Sequence, residues 1–262
     1  MRITDLSDEY LASYCVCLED WNDEMKEAGN HKECWYNSMR DKGLRVKLAL
    51  SEEGKAVGMI QYLPVEYSYA EGNKLYAILC IWVHGHKEGP GNHQKKGIGK
   101  ALLEAAEKDV RETGALGLVA WGLSIPVWMK ASWFKKHGYS RADKLGVMRP
   151  ELVWKPFTEE ASPPRWIRQK KKPEKVRGQV TVTAYINGWC PAQNMIFERA
   201  KRASVELGEQ VVFQEILTRN RETFLEWGLG DALYIDGKRV RTGPPPSYKK
   251  LKNKIARKVH QL

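Results

Sequence analysis

Between an apolar run, Leu75 to Val83, and an amphipathic run that opens at Ile98, the chain reads Gln94-Lys95-Lys96-Gly97-Ile98-Gly99-Lys100. That order specifies a strand, a tight loop and the first turn of a helix. Two glycines let the backbone turn with no side chain in the way. The N–H groups that open a helix lack intrahelical partners, and the helix dipole favours an anion beside them. Lys95, Lys96 and Lys100 add positive charge. The stretch therefore reads as a cradle for a phosphate or pyrophosphate, against the plainer alternative of an ordinary loop and helix cap. No Gly-x-x-x-x-Gly-Lys-Ser/Thr occurs, which excludes a Walker A loop, and the third glycine of a dinucleotide fingerprint is missing.

At 262 residues the chain is long enough for two modest domains, and 42% hydrophobic content supports a packed core. No run of 18 apolar residues exists, so no membrane span is expected. The N-terminus, MRITDLSDEY, lacks the apolar core of a signal peptide, and a cytoplasmic location is expected. Five cysteines (Cys15, Cys17, Cys34, Cys80 and Cys190) are odd in number and lack Cys-x-x-Cys spacing. Neither a disulfide framework nor a metal site is expected from them.

The net charge of +11 is unevenly placed. Residues 1–157 carry 22 Lys and Arg against 21 Asp and Glu, residues 158–177 carry 7 against 3, and residues 178–262 carry 14 against 8. The basic excess thus lies outside the segment that holds the phosphate loop. A solvated surface accounts for it, and contact with nucleic acid or another polyanion is the sharper alternative.

Patterning along the chain gives two domains and a linker. Residues 8–42 read as two helices, broken near Gly29-Asn30. Strands are expected at Leu44–Leu50, Ala56–Leu63, Leu75–Val83 and Ala115–Trp121, with a hairpin turn at 51–55. The helix after the phosphate loop runs to about Thr113, with Ile98, Leu102 and Ala105 on one face. A further helix at Trp128–His137 and two strands within Tyr139–Trp154 complete residues 1–157. This mixed order implies one mixed sheet flanked by helices, an α/β (α+β) fold. Residues 158–177, TEEASPPRWIRQKKKPEKVR, read as a basic, Pro-containing linker, with Trp166-Ile167 able to pin it to a surface. Residues 178–262 restart as β-α-β-α-β-β-α.

Gln94-x-x-Gly97-x-Gly99, followed by Ala101-Leu102-Leu103, resembles the Gln/Arg-x-x-Gly-x-Gly/Ala signature of the GNAT acetyltransferase superfamily. About 35 residues later, Ala131-Ser-Trp-Phe134-Lys-Lys-His137-Gly138-Tyr139 resembles its second signature, a helix ending in Tyr-x-x-x-Gly-Phe. The resemblance covers roughly residues 40–155. It implies acetyl-CoA as cofactor, held by the strand at Ile81 and Val83 and by Gln94, Lys95, Lys96, Gly97, Ile98, Gly99 and Lys100. It also implies direct transfer, in a ternary complex, to an amine acceptor such as a small molecule.

Amine acetylation needs a neutral nucleophile and a polarised carbonyl. Deprotonating an alkyl ammonium at pH 7 costs roughly 4–5 kcal/mol, so a base is wanted. Cys80, Trp82 and His84 share one face of their strand, which makes His84 the first candidate base and His86 the second; both could equally be ordinary loop histidines. The Glu that the family often carries on this strand is absent. The family's Tyr acid falls on Phe134, which has no hydroxyl, and the Asn at the start of that helix is replaced within Ile125-Pro126-Val127. The aromatic and acidic N-terminal region, with Trp21, Trp35 and Tyr36, falls where the family builds its acceptor pocket, and Trp82 faces the same side. Acids there could hold a cationic amine over the rings, or form only a solvated helix face.

The C-terminal element order resembles a thioredoxin-like fold, and the whole chain resembles the YoaP-like architecture of a GNAT domain fused to such a module. Trp189-Cys190-Pro191-Ala192-Gln193 sits where that fold carries Trp-Cys-x-x-Cys. Cys190 opens a helix, where a thiol pKa falls. Gln193 replaces the resolving cysteine, and Asp231 at the cis-proline position opposes a thiolate. Three readings follow: an N-acetyltransferase, an acetyl-CoA-binding scaffold whose basic C-terminal domain docks a protein or nucleic acid, and thiol chemistry at Cys190.

Overall fold

A computed structural model describes residues 1–125, 128–146 and 150–262. In chain order the elements are β1 (Arg2–Asp5), α1 (Asp8–Cys15), α2 (Asp23–Lys26), α3 (His31–Met39), β2 (Arg45–Leu50), β3 (Ala56–Pro64), β4 (Ala70–Glu71), β5 (Leu75–Val83) and α4 (Ile98–Glu112). They continue with β6 (Gly117–Gly122), α5 (Ala131–Lys136), β7 (Ser140–Lys144), β8 (Glu151–Pro156), β9 (Arg165–Trp166), β10 (Val180–Ile186), α6 (Pro191–Glu206), β11 (Val211–Leu217), α7 (Arg221–Trp227), β12 (Ala232–Ile235), β13 (Lys238–Arg239) and α8 (Tyr248–Val259). The chain divides into two compact units: residues 1–21 with 38–167, and residues 22–37 with 168–262.

The first unit is built on a seven-stranded sheet in the order β1-β2-β3-β5-β6-β8-β7. Among the described residues of this sheet only β5 and β6 pair in parallel; every other neighbouring pair is antiparallel. Nine consecutive residues of β3 are buried or nearly so, as expected of a central strand covered on both faces. Helix α4 covers one face with Ile98, Leu102, Leu103, Ala106 and Val110, packed with Ile60, Tyr62, Ile78, Leu118 and Ala120. Ala105, expected on this face, lies at its margin, and Ala106 takes the inward position. A stretch expected to be all linker forms β9, which pairs with β4. Trp166 stacks on Tyr69 at 5.1 Å and Ile167 is buried, so this pair does pin the chain down.

The second unit has a four-stranded sheet, β11-β10-β12-β13, with β10 parallel to β11 and antiparallel to β12. Val180, Val182 and Ala184 pack with Ile196, Phe197 and Ala200 of α6 and with Leu251 and Ile255 of α8. Residues 22–37 belong to this unit, although the sequence places them with the phosphate-loop domain. Ion pairs account for the difference. Arg199, all but buried, donates to both carboxylate oxygens of Glu27 at 2.9 and 3.3 Å and to the Pro246 carbonyl at 3.1 Å. The His31 ring lies 2.6 Å from Glu198. The N-terminal helical region is also three short helices, α1 to α3, where two were expected.

Candidate active site

The parallel pairing of β5 and β6 runs from Leu75 opposite Gly117 to Ile78 opposite Ala120, then stops. Both strands continue, β5 to Val83 and β6 to Gly122, so they part like a fork. On its other side β5 stays paired with β3 as far as Val83 opposite Gly58. The amide of His84 still donates to Val57 at 2.9 Å. Since alternate residues face alternate edges, Leu79, Ile81 and Val83 present their N–H and C=O groups to the fork. Three side chains take those carbonyls. The indole N–H of Trp121 donates to Leu79 and that of Trp128 to Ile81, each at 2.9 Å, and the Gln94 amide donates to Val83 at 3.2 Å. The N–H groups of Ile81 and Val83 face the same gap.

The glycine–lysine loop closes the mouth of the fork. Lys95 and Gly97 have φ of 62° and 81°, in the left-handed region, and Gly97 pays no Cβ penalty there. Gly97 is the N-cap of α4 and no side chain caps the helix. The first helical bond is Ala101 N–H to the Gly97 carbonyl, at 3.1 Å. The N–H groups of Ile98, Gly99 and Lys100 are left to bind something else. Fork and loop together bound a cleft of about 620 Å³. Its lining includes Ile81, Trp82, Val83, Gln94, Lys95, Gly97, Ile98, Gly99 and Lys100, all expected at a site, while Lys96 lies outside it. His93, Trp128, Met129, Lys130 and Trp133 also line it and were not anticipated. The sequence reads Trp128–His137 as one helix, whereas α5 begins only at Ala131, so Trp128, Met129 and Lys130 precede it.

His84 is not placed to be a base. It is fully buried, its Nδ1 donates to the Gly91 carbonyl at 2.8 Å, and its Nε2 accepts from the Trp21 indole at 3.0 Å. The Trp donor fixes this neutral tautomer and leaves no lone pair for a substrate. Trp21, expected to touch an acceptor, spends its N–H on this bond. His86 differs: it is half exposed, stands 6.3 Å from the Trp82 ring, and its Nε2 is 3.6 Å from the Glu19 carboxylate. His93 donates through Nε2 to the Pro90 carbonyl at 2.9 Å, next to the phosphate-loop end of the cleft.

Phe134 is fully buried, in edge contact with Trp133 and Tyr139, and does not line the cleft. The residue of α5 that does is its neighbour Trp133. A tyrosine at 134 would carry its hydroxyl into the core, at a cost of about 1–3 kcal/mol if unpartnered. Phe134→Tyr should therefore lower the melting temperature without raising turnover; an unchanged melting temperature with faster turnover would mean that the hydroxyl reaches the cleft. The expected Asn position falls at Pro126 and Val127, outside the described residues, as do Val147, Met148 and Arg149 of the expected β-strand region.

Trp35 and Tyr36 do not line this cleft either. Trp35 is buried in the second unit, its Cβ 3.2 Å from where a side chain on Gly188 would begin. The acids beside them are spent on ion pairs, Glu27 and Glu24 on Arg199 and Asp23 on Lys26. Cys190 is the half-buried N-cap of α6, and Gln193 one turn on donates to the Thr242 carbonyl. Asp231 is partly buried. Burial pushes its carboxyl up to about 6, against backbone N–H donors from Asn187 and Gly188. Among the described residues no group of His, Cys, Asp and Glu is arranged to hold a metal, and no helix is long and apolar enough to cross a membrane.

The profile of the acetyltransferase (GNAT) family matches residues 3–126. No curated protein matches the chain. Among solved structures, a GNAT family acetyltransferase from Staphylococcus aureus Mu50 superposes with a TM-score of 0.45 at 14% identity, covering 60% of this chain and 99% of its own. An Escherichia coli GNAT family N-acetyltransferase in complex with CoA gives 0.44 at 11% identity, over 61% and 82%. Aminoglycoside 6'-acetyltransferase type Ii gives 0.44 at 16% identity, over 65% and 100%. On that match, residues 3–126, just under half of the chain, are similar to a GNAT acetyltransferase domain.

Proposed function

We propose that this chain transfers the acetyl group of acetyl-CoA directly to an amine, in a ternary complex, with the cleft of the first unit as donor site. The observation that carries this reading is the fork between β5 and β6, opening onto an uncapped helix start. The residues suit the cofactor. The N–H groups of Ile98, Gly99 and Lys100, with Lys95 and Lys100, would hold a pyrophosphate. A Cβ on Gly97 would meet no atom within 4 Å, so the space beside the loop is open. The N–H groups of Ile81 and Val83 would receive an acyl oxygen and stabilise charge that develops on it. When bound, acetyl-CoA supplies an activated acetyl thioester.

His86 is the histidine best suited to take the amine proton. Glu19 offers charge compensation for the imidazolium that proton transfer creates. Turnover should rise with pH, because only the neutral amine can attack. His86→Gln should lower kcat by roughly 10²-fold, the low end of general-base contributions, and leave acetyl-CoA affinity unchanged. Full activity in this variant would move the base elsewhere or to water. A small-molecule amine acceptor belongs to the same proposal, as does a YoaP-like, thioredoxin-like role for the second unit, which the β-α-β-α-β-β-α order supports.

A second reading has its own support. With His84 fully hydrogen-bonded and Phe134 in the core, two expected catalytic positions are spent on structure. An acetyl-CoA-binding scaffold, with basic α8 docking a protein or nucleic acid, would need neither. Native mass spectrometry of the purified chain, followed by an acetyl-transfer assay over a panel of amines, separates the readings. Bound acetyl-CoA with transfer supports the enzyme; bound acetyl-CoA without transfer supports the scaffold; no bound CoA species refutes both.

A further inference from the structure

We infer that the indoles of Trp121 and Trp128 form an end-stop in the β5–β6 fork that restricts the donor to short acyl groups. This rests on the acyl-CoA reading above and adds the class of acyl group that the site takes. The fork has a mouth and a closed end. Its mouth lies beyond Val83, beside the uncapped N–H groups of α4 and the lysines that would hold phosphate. Its closed end is the last parallel pair, Ile78 and Ala120. A thioester arm anchored by phosphate at the mouth must run back along the open edge, past Val83 and Ile81 towards Leu79. Its acyl end therefore points at the closed end.

That end is filled. Trp121 reaches across the fork from β6 to the Leu79 carbonyl, and Trp128 bonds the Ile81 carbonyl one rung nearer the mouth. The two rings meet edge to face, with centroids 5.2 Å apart. Each indole is held by a hydrogen bond to backbone and by the other ring, so neither yields easily. From Ile81 to Val83 the open edge is only about 7 Å long, at roughly 3.3 Å per residue. Every methylene added to the acyl group would have to enter the space of the indole pair.

The test measures calorimetric affinities for CoA, acetyl-CoA and butyryl-CoA, so it does not depend on turnover. The wild-type chain should bind acetyl-CoA at least tenfold more tightly than butyryl-CoA, in line with the roughly 10- to 200-fold discrimination that a misfitted methylene can produce. Trp128→Leu shortens the stop at a partly exposed position and should shrink that ratio by roughly tenfold. Equal wild-type affinity for acetyl- and butyryl-CoA would overturn the inference, as would an unchanged ratio in a Trp128→Leu variant that melts like wild type. Failure of the wild-type chain to bind CoA at all would instead refute the acyl-CoA reading on which it rests.

Discussion

Gly99→Asp should abolish measurable acetyl-CoA binding. Gly99 is the second residue of α4, and a Cβ built on it stands 3.5 Å from Trp133, inside the cleft lining. An aspartate there would send a carboxylate into the space between the helix start and Trp133. Two like charges about 4 Å apart repel by roughly 4 kcal/mol at an effective dielectric of about 20, which is close to a thousandfold in affinity. The fold should survive, because Asp in a first helical turn is favourable to the helix itself. Gly97→Ala is the companion variant. It adds no charge and meets no neighbour, but φ of 81° costs a side chain about 1–2 kcal/mol. Calorimetry should show a small affinity change for Gly97→Ala and none of the wild-type heat for Gly99→Asp. Wild-type affinity in Gly99→Asp would mean that phosphate does not sit on this helix.

The glycine–lysine loop and the helix that it opens were legible because their signals are local. Glycines, lysines and the strand before them lie within 26 residues, and each acts through its own backbone or charge. The sheet strands were legible for the same reason, with β5 read to the residue and α4 to within one at its end. β1 was missed: four residues beside a turn make too short a pattern to separate from coil. What failed was long-range. Whether His84 is a base depends on Trp21, 63 residues earlier, and on the carbonyl of Gly91. Whether the acids of residues 23–27 face a substrate depends on Arg199, 172 residues from Glu27. The family pattern marks position 134, but only packing decides that Trp133, not Phe134, faces the cleft. The indole donors that cap the fork were unreadable, because they replace a strand partner that ceases to exist only in three dimensions.

Asp109→Ala should markedly destabilise the first unit. Asp109, in the last turns of α4, accepts from the Tyr62 hydroxyl at 2.7 Å and from Arg45 at 3.0 and 3.2 Å, with Lys47 Nζ 3.0 Å away. Asp109 and Lys47 side chains are only 12% and 14% exposed, so water cannot replace a lost partner, whereas Arg45 at 42% can turn outward. Removing the carboxylate takes the acceptor from the Tyr62 hydroxyl and leaves Lys47 with Asp5 as its remaining partner. About 3 kcal/mol is expected, or roughly 6–12 °C in the melting of this unit. Burial by itself raises the Asp109 pKa, but hydrogen bonds from Tyr62 and Lys47 and the charges of Lys47 and Arg45 outweigh it and hold the carboxyl below its ordinary value. A depressed folded-state pKa stabilises above the ordinary value near 3.8 and loses that stabilisation as pH falls through the folded value. The gap between wild type and Asp109→Asn should therefore be constant from pH 8 to about 5 and close in more acidic solution. A gap that widens on acidification would show that the carboxylate is not what holds α4. The N-terminus of α4 lies 11 residues away, about 16 Å along the axis, so both variants should bind acetyl-CoA normally well below their melting temperatures. Lost binding under those conditions would mean instead that this ion-pair cluster sets the pose of the phosphate site itself.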